Sequence, residues 1–249
     1  MKTTVAFRLA TSSVLLAATL STLCLAQPEA PQIARVQLIH IKPDMLTEWL
    51  DLQKNEVVPA LKKAGEKSRT VYVTSLFGNA YEYVIITPIG KYADLDAGNP
   101  VTKALGQPAA FRLNDKLRKC TESSTSYAIT RLTELSNVPE GPMPKMLVTA
   151  RYRIAPGKAA EFRSLVKSEI LPVYKKAKNG LLVNARGVGA NPNDITMSTV
   201  ISNFADLDGG PFLTKQLGQE AAAKVNAKFV GIRTLIEVYV RSKVDDLSF

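Results

Sequence analysis

Apolar and polar positions along the chain follow one order twice. A β-branched run at 36–41 (Val36-Gln37-Leu38-Ile39-His40-Ile41) alternates with the two-residue period of a strand, and 147–154 does the same. Each run leads through a proline, Pro43 or Pro156, into apolar positions at helical spacing. In the first copy these are Leu46, Trp49, Leu50, Val57 and Leu61, with Gln53 in the same register. Pro59 and Pro172 fall late in the helices, where a missing N–H and a bulky ring should kink or end them. Hairpin strands come next, 70–76 with 81–87 and 182–188 with 195–201. Their turns are Gly78-Asn79 and Gly189-Ala190-Asn191-Pro192-Asn193. Helical segments at about 99–120 and 211–231, then closing strands at 124–132 and 234–242, complete the order β-α-β-β-α-β in each copy.

The two copies are a duplication. Adding 113 to a position turns Pro43, Glu48, Leu52, Glu56 and Pro59 into Pro156, Glu161, Leu165, Glu169 and Pro172. Lys62-Lys63-Ala64 likewise becomes Lys175-Lys176-Ala177. After a one-residue deletion the offset is 112: Ala93-Asp94-Leu95-Asp96 recurs as Ala205-Asp206-Leu207-Asp208, and Leu105-Gly106-Gln107 as Leu217-Gly218-Gln219. Asn114 with Asn226 and Tyr127 with Tyr239 carry the match almost to the end. The expected domains are a first ferredoxin-like repeat at 27–135, a proline-rich linker at 136–145 and a second repeat at 146–249.

Residues 1–26 carry the features of an export signal. Lys2 and Arg8 precede an apolar stretch centred on Val14-Leu15-Leu16-Ala17-Ala18, and Cys24-Leu25-Ala26 offers small residues at −3 and −1 of a cut before Gln27. The expected location is therefore periplasmic or secreted, with no membrane association after cleavage; an uncleaved anchor is the alternative. Of 249 residues, 32 are Lys or Arg and 22 Asp or Glu; cleavage leaves 30 basic against 22 acidic, a net charge of +8. Residues 27–135 hold 14 basic and 12 acidic side chains, and 136–249 hold 16 and 10. No run of five like charges occurs and no basic–aromatic interleaving, which argues against nucleic acid as a partner. One His and two Cys exclude a Cys/His zinc cluster, and cleavage leaves Cys120 alone. Cys120 matches Ile232, as a buried apolar residue would.

Alternation sorts the strand residues by face. Gln37, Ile39 and Ile41, with Ala150, Tyr152 and Ile154 of the second copy, suit the face beneath a helix. Leu38, His40, Arg151 and Arg153 form the more polar face. Tyr127 shares a face with Arg131, Asn184 with Arg186, and Glu237 with Tyr239 and Arg241. If these faces point inward, the space between the sheets is lined by Arg, Tyr and one His. Arg151, Arg153, Arg186, Tyr127, Tyr239 and Arg241 are then the candidate ligand-binding residues, suited to an anionic or aromatic-acid ligand. The alternative is a solvated or self-satisfied polar face. His40 is the one side chain with an ordinary pKa near neutrality, so it is the candidate catalytic base or haem ligand, or a plain polar strand residue. Trp49 matches Phe162 and is expected in the core; Glu56/Glu169 and the paired lysines recur as shared surface features. No Walker loop, His-Glu-x-x-His or Gly-x-Ser-x-Gly occurs.

In topology, copy length and the proline-then-helix opening the chain resembles the dimeric α/β-barrel superfamily, which includes antibiotic-biosynthesis monooxygenase-like, NIPSNAP-like and chlorite-dismutase-like proteins. The resemblance covers nearly all of 27–249 and rests on no catalytic motif. It implies an α+β fold in which two tandem ferredoxin-like (βαββαβ) repeats form an intrachain pseudo-dimeric α/β barrel. Together with the export signal it points to an exported small-molecule-binding protein, and it implies cofactor-independent monooxygenase-like chemistry on an organic or aromatic acid if the protein is an enzyme. Two other classes stand beside it: a non-catalytic interaction or scaffold module, and a haem-binding protein using His40. Haem-degrading relatives use Asn, Trp and His together, but Trp49 and His40 do not match that spacing. Further association into a homo-oligomer is open.

Overall fold

A computed structural model describes residues Gln32–Phe249, so the export signal expected at 1–26 lies outside the described residues. Each repeat supplies four strands. The first gives β1 (Ile33–Ile41), β2 (Thr70–Thr74), β3 (Glu82–Ile89) and β4 (Thr121–Arg131). The second gives β5 (Met146–Ile154), β6 (Leu181–Arg186), β7 (Asp194–Ile201) and β8 (Arg233–Lys243). They close into one antiparallel barrel in the order β1-β3-β2-β8-β5-β7-β6-β4. Within a repeat the ladders are long: β1 runs along both β3 and β4, and β5 along both β7 and β8. Between repeats they are short. β2 meets β8 from Tyr72↔Lys243 to Thr74↔Arg241, and β4 meets β6 from Ile129↔Arg186 to Arg131↔Asn184. The linker is sewn to this seam, because Asn137 and Leu181 exchange backbone hydrogen bonds of 2.8 and 2.9 Å.

Strand alternation gives the molecule three cores instead of two. Outward residues of β1–β3 (Ile39, Ile41, Val71, Tyr83, Ile85) pack with Trp49, Leu52 and Leu113 of the first repeat's helices. Outward residues of β5–β7 (Ile154, Ile195, Met197) pack with Phe162, Val166 and Ile170. Inward residues Val36, Tyr72, Val84, Tyr127, Leu147 and Leu182 meet along the barrel axis, since eight strands leave an interior that side chains alone can fill.

The helices differ from their sequence expectation in two places, each time in both repeats. In the first repeat α1 (Leu46–Leu52) widens into a π-helical turn, Gln53–Val57, and continues as α2 (Val58–Lys63). Here the Val58 amide reaches back five residues to the Gln53 carbonyl. Pro59 therefore neither ends nor breaks the helix: the wider turn removes the clash between its ring and the carbonyl four residues earlier, at Asn55. The segment expected at 99–120 is two helices, α3 (Pro100–Leu105) and α4 (Gln107–Cys120), separated by Gly106 at φ +77°. In the second repeat α5 (Ala159–Leu165), a π-turn at Val166–Ile170 and α6 (Leu171–Lys176) carry Pro172 in the same way. There α7 (Phe212–Leu217) and α8 (Gln219–Ala227) part at Gly218, φ +81°. A left-handed backbone of this kind favours glycine, which explains why Leu-Gly-Gln is kept in both copies.

Candidate functional site

Two polar systems occupy opposite faces of the sheet. The first lies inside the barrel and gathers most of the residues singled out from the sequence. His40 Nε2 sits 3.2 Å from Glu82 Oε2 across the β1–β3 ladder. Glu82 also accepts from Arg241 Nη2 (2.8 Å) and from the Thr74 hydroxyl (3.1 Å). Burial alone would raise the Glu82 carboxyl, but the Arg241 guanidinium and the donated hydrogen bonds outweigh it and hold the group below its ordinary range. Arg241 lies over the Tyr239 ring at 4.1 Å, and Arg186 over Tyr127 at 4.5 Å. On the other side Arg153 pairs with Asp194, and Arg151 reaches both Asp194 (3.2 Å) and Glu237 (2.7 Å). Arg131 Nε donates to Asn184 Oδ1 at 2.6 Å. The six candidate ligand-binding residues thus fall into an Arg241–Tyr239–Glu82–His40 group, an Arg151–Arg153–Asp194 group and an Arg186–Tyr127 stack.

The second system lies on the outer face of the second repeat's sheet, beneath its helices, around a cavity of about 880 Å³. Its floor is the outward side chains of β5 (Val148, Ala150, Tyr152), β7 (Met197, Thr199, Ile201) and β8 (Arg233, Leu235, Val238). Tyr174 of α6 and Phe212 of α7 stack over it with centroids 4.2 Å apart, and the Tyr174 and Thr199 hydroxyls hydrogen-bond at 2.6 Å. Burial pushes the Tyr174 phenol up to about 12, with the Thr199 bond pulling the other way, so it is a neutral hydroxyl at any ordinary pH. Arg233 lies between the rings of Tyr152 (4.2 Å) and Phe229 (4.0 Å). Its Nη2 donates to Asn226 Oδ1 at 3.3 Å and its Nη1 points at the Met197 sulfur at 3.8 Å. Among the described residues no carboxylate forms an ion pair with it. Burial lowers its pKa, with Tyr152 opposing, yet a guanidinium stays protonated.

None of the residues named from the sequence as ligand-binding lines this cavity, and Tyr152, Tyr174, Thr199, Phe212 and Arg233 were not among them. A signal was present in the duplication. At offset 113 Tyr152 stands where the first repeat has Ile39 and Tyr174 where it has Leu61; at offset 112 Arg233 replaces Thr121. In the first repeat Trp49 and Tyr83 pack ring against ring at 4.6 Å, with Ile39 and Leu61 in the same cluster. The copies diverge where the second carries the polar aromatic wall. For haem, the residue proposed from the sequence does not fit this cavity: His40 is on the inner face of the other repeat, engaged with Glu82. Among the described residues no cluster of three His, Cys, Asp or Glu side chains is placed to hold a metal ion.

No protein-family model and no curated protein matches the sequence. Solved structures do match the fold. A candidate monooxygenase from Fusobacterium nucleatum subsp. nucleatum aligns over 87% of this chain and 94% of its own, at 11% identity and a TM-score of 0.56. An anthrone oxidase-like protein aligns over 86% and 91%, at 12% identity and a TM-score of 0.55. A mutant chlorite dismutase from Candidatus Nitrospira defluvii aligns over 86% and 92%, at 9% identity and a TM-score of 0.54. The chain shares the fold of these structures, a closed α/β barrel, with both halves of the barrel supplied by tandem repeats of a single chain.

Proposed function

We propose that the protein binds an anionic aromatic small molecule in the cavity of its second repeat. The observation that carries this is Arg233, a half-buried guanidinium without a carboxylate partner, set among aromatic walls in a space of about 880 Å³. Such a volume takes a ligand of drug-like size, and Arg supplies charge-assisted bonds to a carboxylate or phenolate while the rings stack on its apolar body. The neutral Tyr174 and Thr199 hydroxyls offer a second polar point. The test is a thermal-shift series of aryl carboxylates against their uncharged amides. Stabilisation by the acids and not by the amides is the expected result; equal response to both, or silence throughout, overturns the reading.

Oxidation of the bound anion by dioxygen is the reaction class this reading favours, in keeping with the names of two of the similar folds. One oxygen atom would enter the ligand and the other leave as water, with two hydrogens taken from the ligand. His40 is on the opposite face, so the cavity would work on a ligand already anionic at neutral pH, held by Arg233 against the aromatic walls. Dioxygen uptake in chelator-treated buffer with a hydroxyaryl acid that binds decides between an oxidase and a binding protein. Export through residues 1–26 belongs to the same proposal; mass spectrometry of the exported protein should find Gln27 at its N-terminus, and retention of Met1 would refute it.

A further inference from the structure

The cavity belongs to the second repeat by its strands, yet one end is reached by the first. The tip of the β2–β3 hairpin, residues 75–81, lies along β8. The Ser75 amide donates to the Val240 carbonyl at 2.9 Å, and the Val240 amide to the Phe77 carbonyl at 3.1 Å. Val240 pairs in turn with Val148, a cavity-lining residue. From this position the Phe77 ring meets Phe204 edge-on, with centroids 6.1 Å apart and planes at 71°. Phe204 opens the 3-10 turn Phe204–Leu207, whose Asp206 and Leu207 line the cavity.

The tip is held in a demanding conformation. Leu76 and Tyr81 have φ of 47° and 59°, unusual for residues with a side chain. A Cβ on Gly78 (φ 127°) would come within 2.6 Å of Thr74 Cγ2 and 3.0 Å of Tyr239 Cβ. Leu76 is 83% and Phe77 56% exposed, so this arrangement is not there to bury the two side chains. Backbone strain that secures no burial directs attention to what the side chains touch.

The duplication supplies an internal comparison. The second repeat's hairpin lies along β4 through the corresponding bonds, with one residue fewer between them: the Gly187 amide donates to the Ala128 carbonyl and the Ala128 amide to the Val188 carbonyl, both at 2.8 Å. Phe77 therefore matches Val188 by its bond and Gly189 by the offset of 112, at which Phe204 matches Tyr92. Neither valine nor glycine has a ring to form an edge-to-face pair. The aromatic contact is found at the repeat that carries the cavity.

We propose that Phe77 is a positioning residue for that cavity: it clamps the loop 202–211 across the end marked by Ile201, and so sets how long a ligand is gripped. The proposal rests on the cavity being a ligand site. From Met197, beside Arg233, to Ile201 is four residues of strand, or about 13 Å, so a ligand anchored at Arg233 reaches the clamp only if it spans several rings. Gly209 and Gly210, at φ 76° and 92°, let the loop turn at its other end in a conformation that favours glycine.

Amide hydrogen exchange of the full chain tests the clamp without any ligand. Phe77→Ala should speed exchange at Ser202, Asp206, Asp208 and Gly210 by roughly threefold to tenfold, the scale of one aromatic pair. Phe77→Tyr should restore it, and the matching loop at 92–97 should not respond. Unchanged exchange in loop 202–211, or a rise spread evenly over the chain, overturns the proposal. Benzoate, 2-naphthoate and 2-anthracenecarboxylate then test ligand length. Phe77→Ala should weaken the three-ring acid by a similar factor and leave benzoate unchanged; an equal effect on all three overturns the clamp. If none of the acids binds the unaltered protein, the ligand reading fails, while the exchange result still decides whether Phe77 holds the loop.

Discussion

Replacing Arg233 by Met separates the stability of the fold from the use of the cavity, because the fold should hold while ligand binding is lost. The side chain has two ring contacts, a 3.3 Å hydrogen bond to Asn226 and no anionic partner. Losing the ring contacts costs about 1–2 kcal/mol in all, and losing the bond costs about 1 kcal/mol more. Against this stands the cost of holding a half-buried cation partly out of water, a fraction of the several kcal/mol that full burial of an unpaired ion costs. The two nearly offset each other, leaving a balance within about 1 kcal/mol of zero. At 2–4 °C per kcal/mol for a chain of this size, the unliganded Tm should hold within about 4 °C. Ligand binding should collapse, since a charge-assisted bond worth about 1.5–3 kcal/mol corresponds to roughly 10- to 150-fold in Kd. The assay is calorimetric titration of the original and Arg233→Met proteins with one aryl carboxylate and its amide, beside a melting curve of each without ligand. The original should prefer the acid and the variant should not distinguish the pair. A variant that melts more than about 4 °C lower while still preferring the acid would refute the reasoning, because Arg233 would then be a structural cation.

The barrel interior should answer in the contrary way. Arg241→Met removes the partner of buried Glu82 and should cost about 3–5 kcal/mol by urea unfolding, with the double variant Arg241→Met/Glu82→Gln recovering part of it. If the double variant is as unstable as the sum of the singles, the pair is not coupled. Because the folded Glu82 pKa is depressed, its contribution is complete above the unfolded value near 4.5 and fades as the pH falls through the lower folded value. Glu82→Gln should therefore flatten the acid limb of the stability profile; an unchanged slope between pH 5 and pH 3 would count against the assignment. Tyr174 has the opposite sign. Its phenol ionises near 10 when unfolded and about 12 when folded, so stability should decline as pH rises past 10, and Tyr174→Phe should remove that part of the decline. Absorbance at 295 nm with and without the substitution measures it, and a Tyr174 titrating near 10 in the folded chain would refute it.

How far the sequence discloses this molecule depends on which interactions are local. The hairpins, the order of elements within a repeat and the sorting of strand faces follow from a two-residue period and turn chemistry, both local properties, whereas closure into a barrel is expected only from the family resemblance. The helices already show the limit. Proline reads as a break, yet whether Pro59 and Pro172 end a helix depends on the packing that Trp49, Leu52 and Val57, and Phe162, Val166 and Ile170, provide before and within a π-turn. That packing is tertiary, and it wins. The cavity lies further beyond reach. Alternation put Tyr152 beneath a helix, and the structure has it there, but a face beneath a helix is core or cavity according to volumes contributed from four elements at once. What the sequence does carry is the contrast between its own two halves. Where both copies keep a residue, as at Leu-Gly-Gln or the paired Pro59 and Pro172, the fold requires it. Where one copy exchanges Ile39 for Tyr152, Leu61 for Tyr174, Thr121 for Arg233 or Val188 for Phe77, the fold tolerates either residue, since the same chain contains both. Those four exchanges converge on one repeat: three line its cavity and the fourth reaches its wall from the other half. Under the proposed function, a duplicated barrel released from symmetric use keeps one lobe for packing and turns the other lobe's substitutions to a ligand, with Arg233, which has no carboxylate partner, as the point where the two lobes differ in charge.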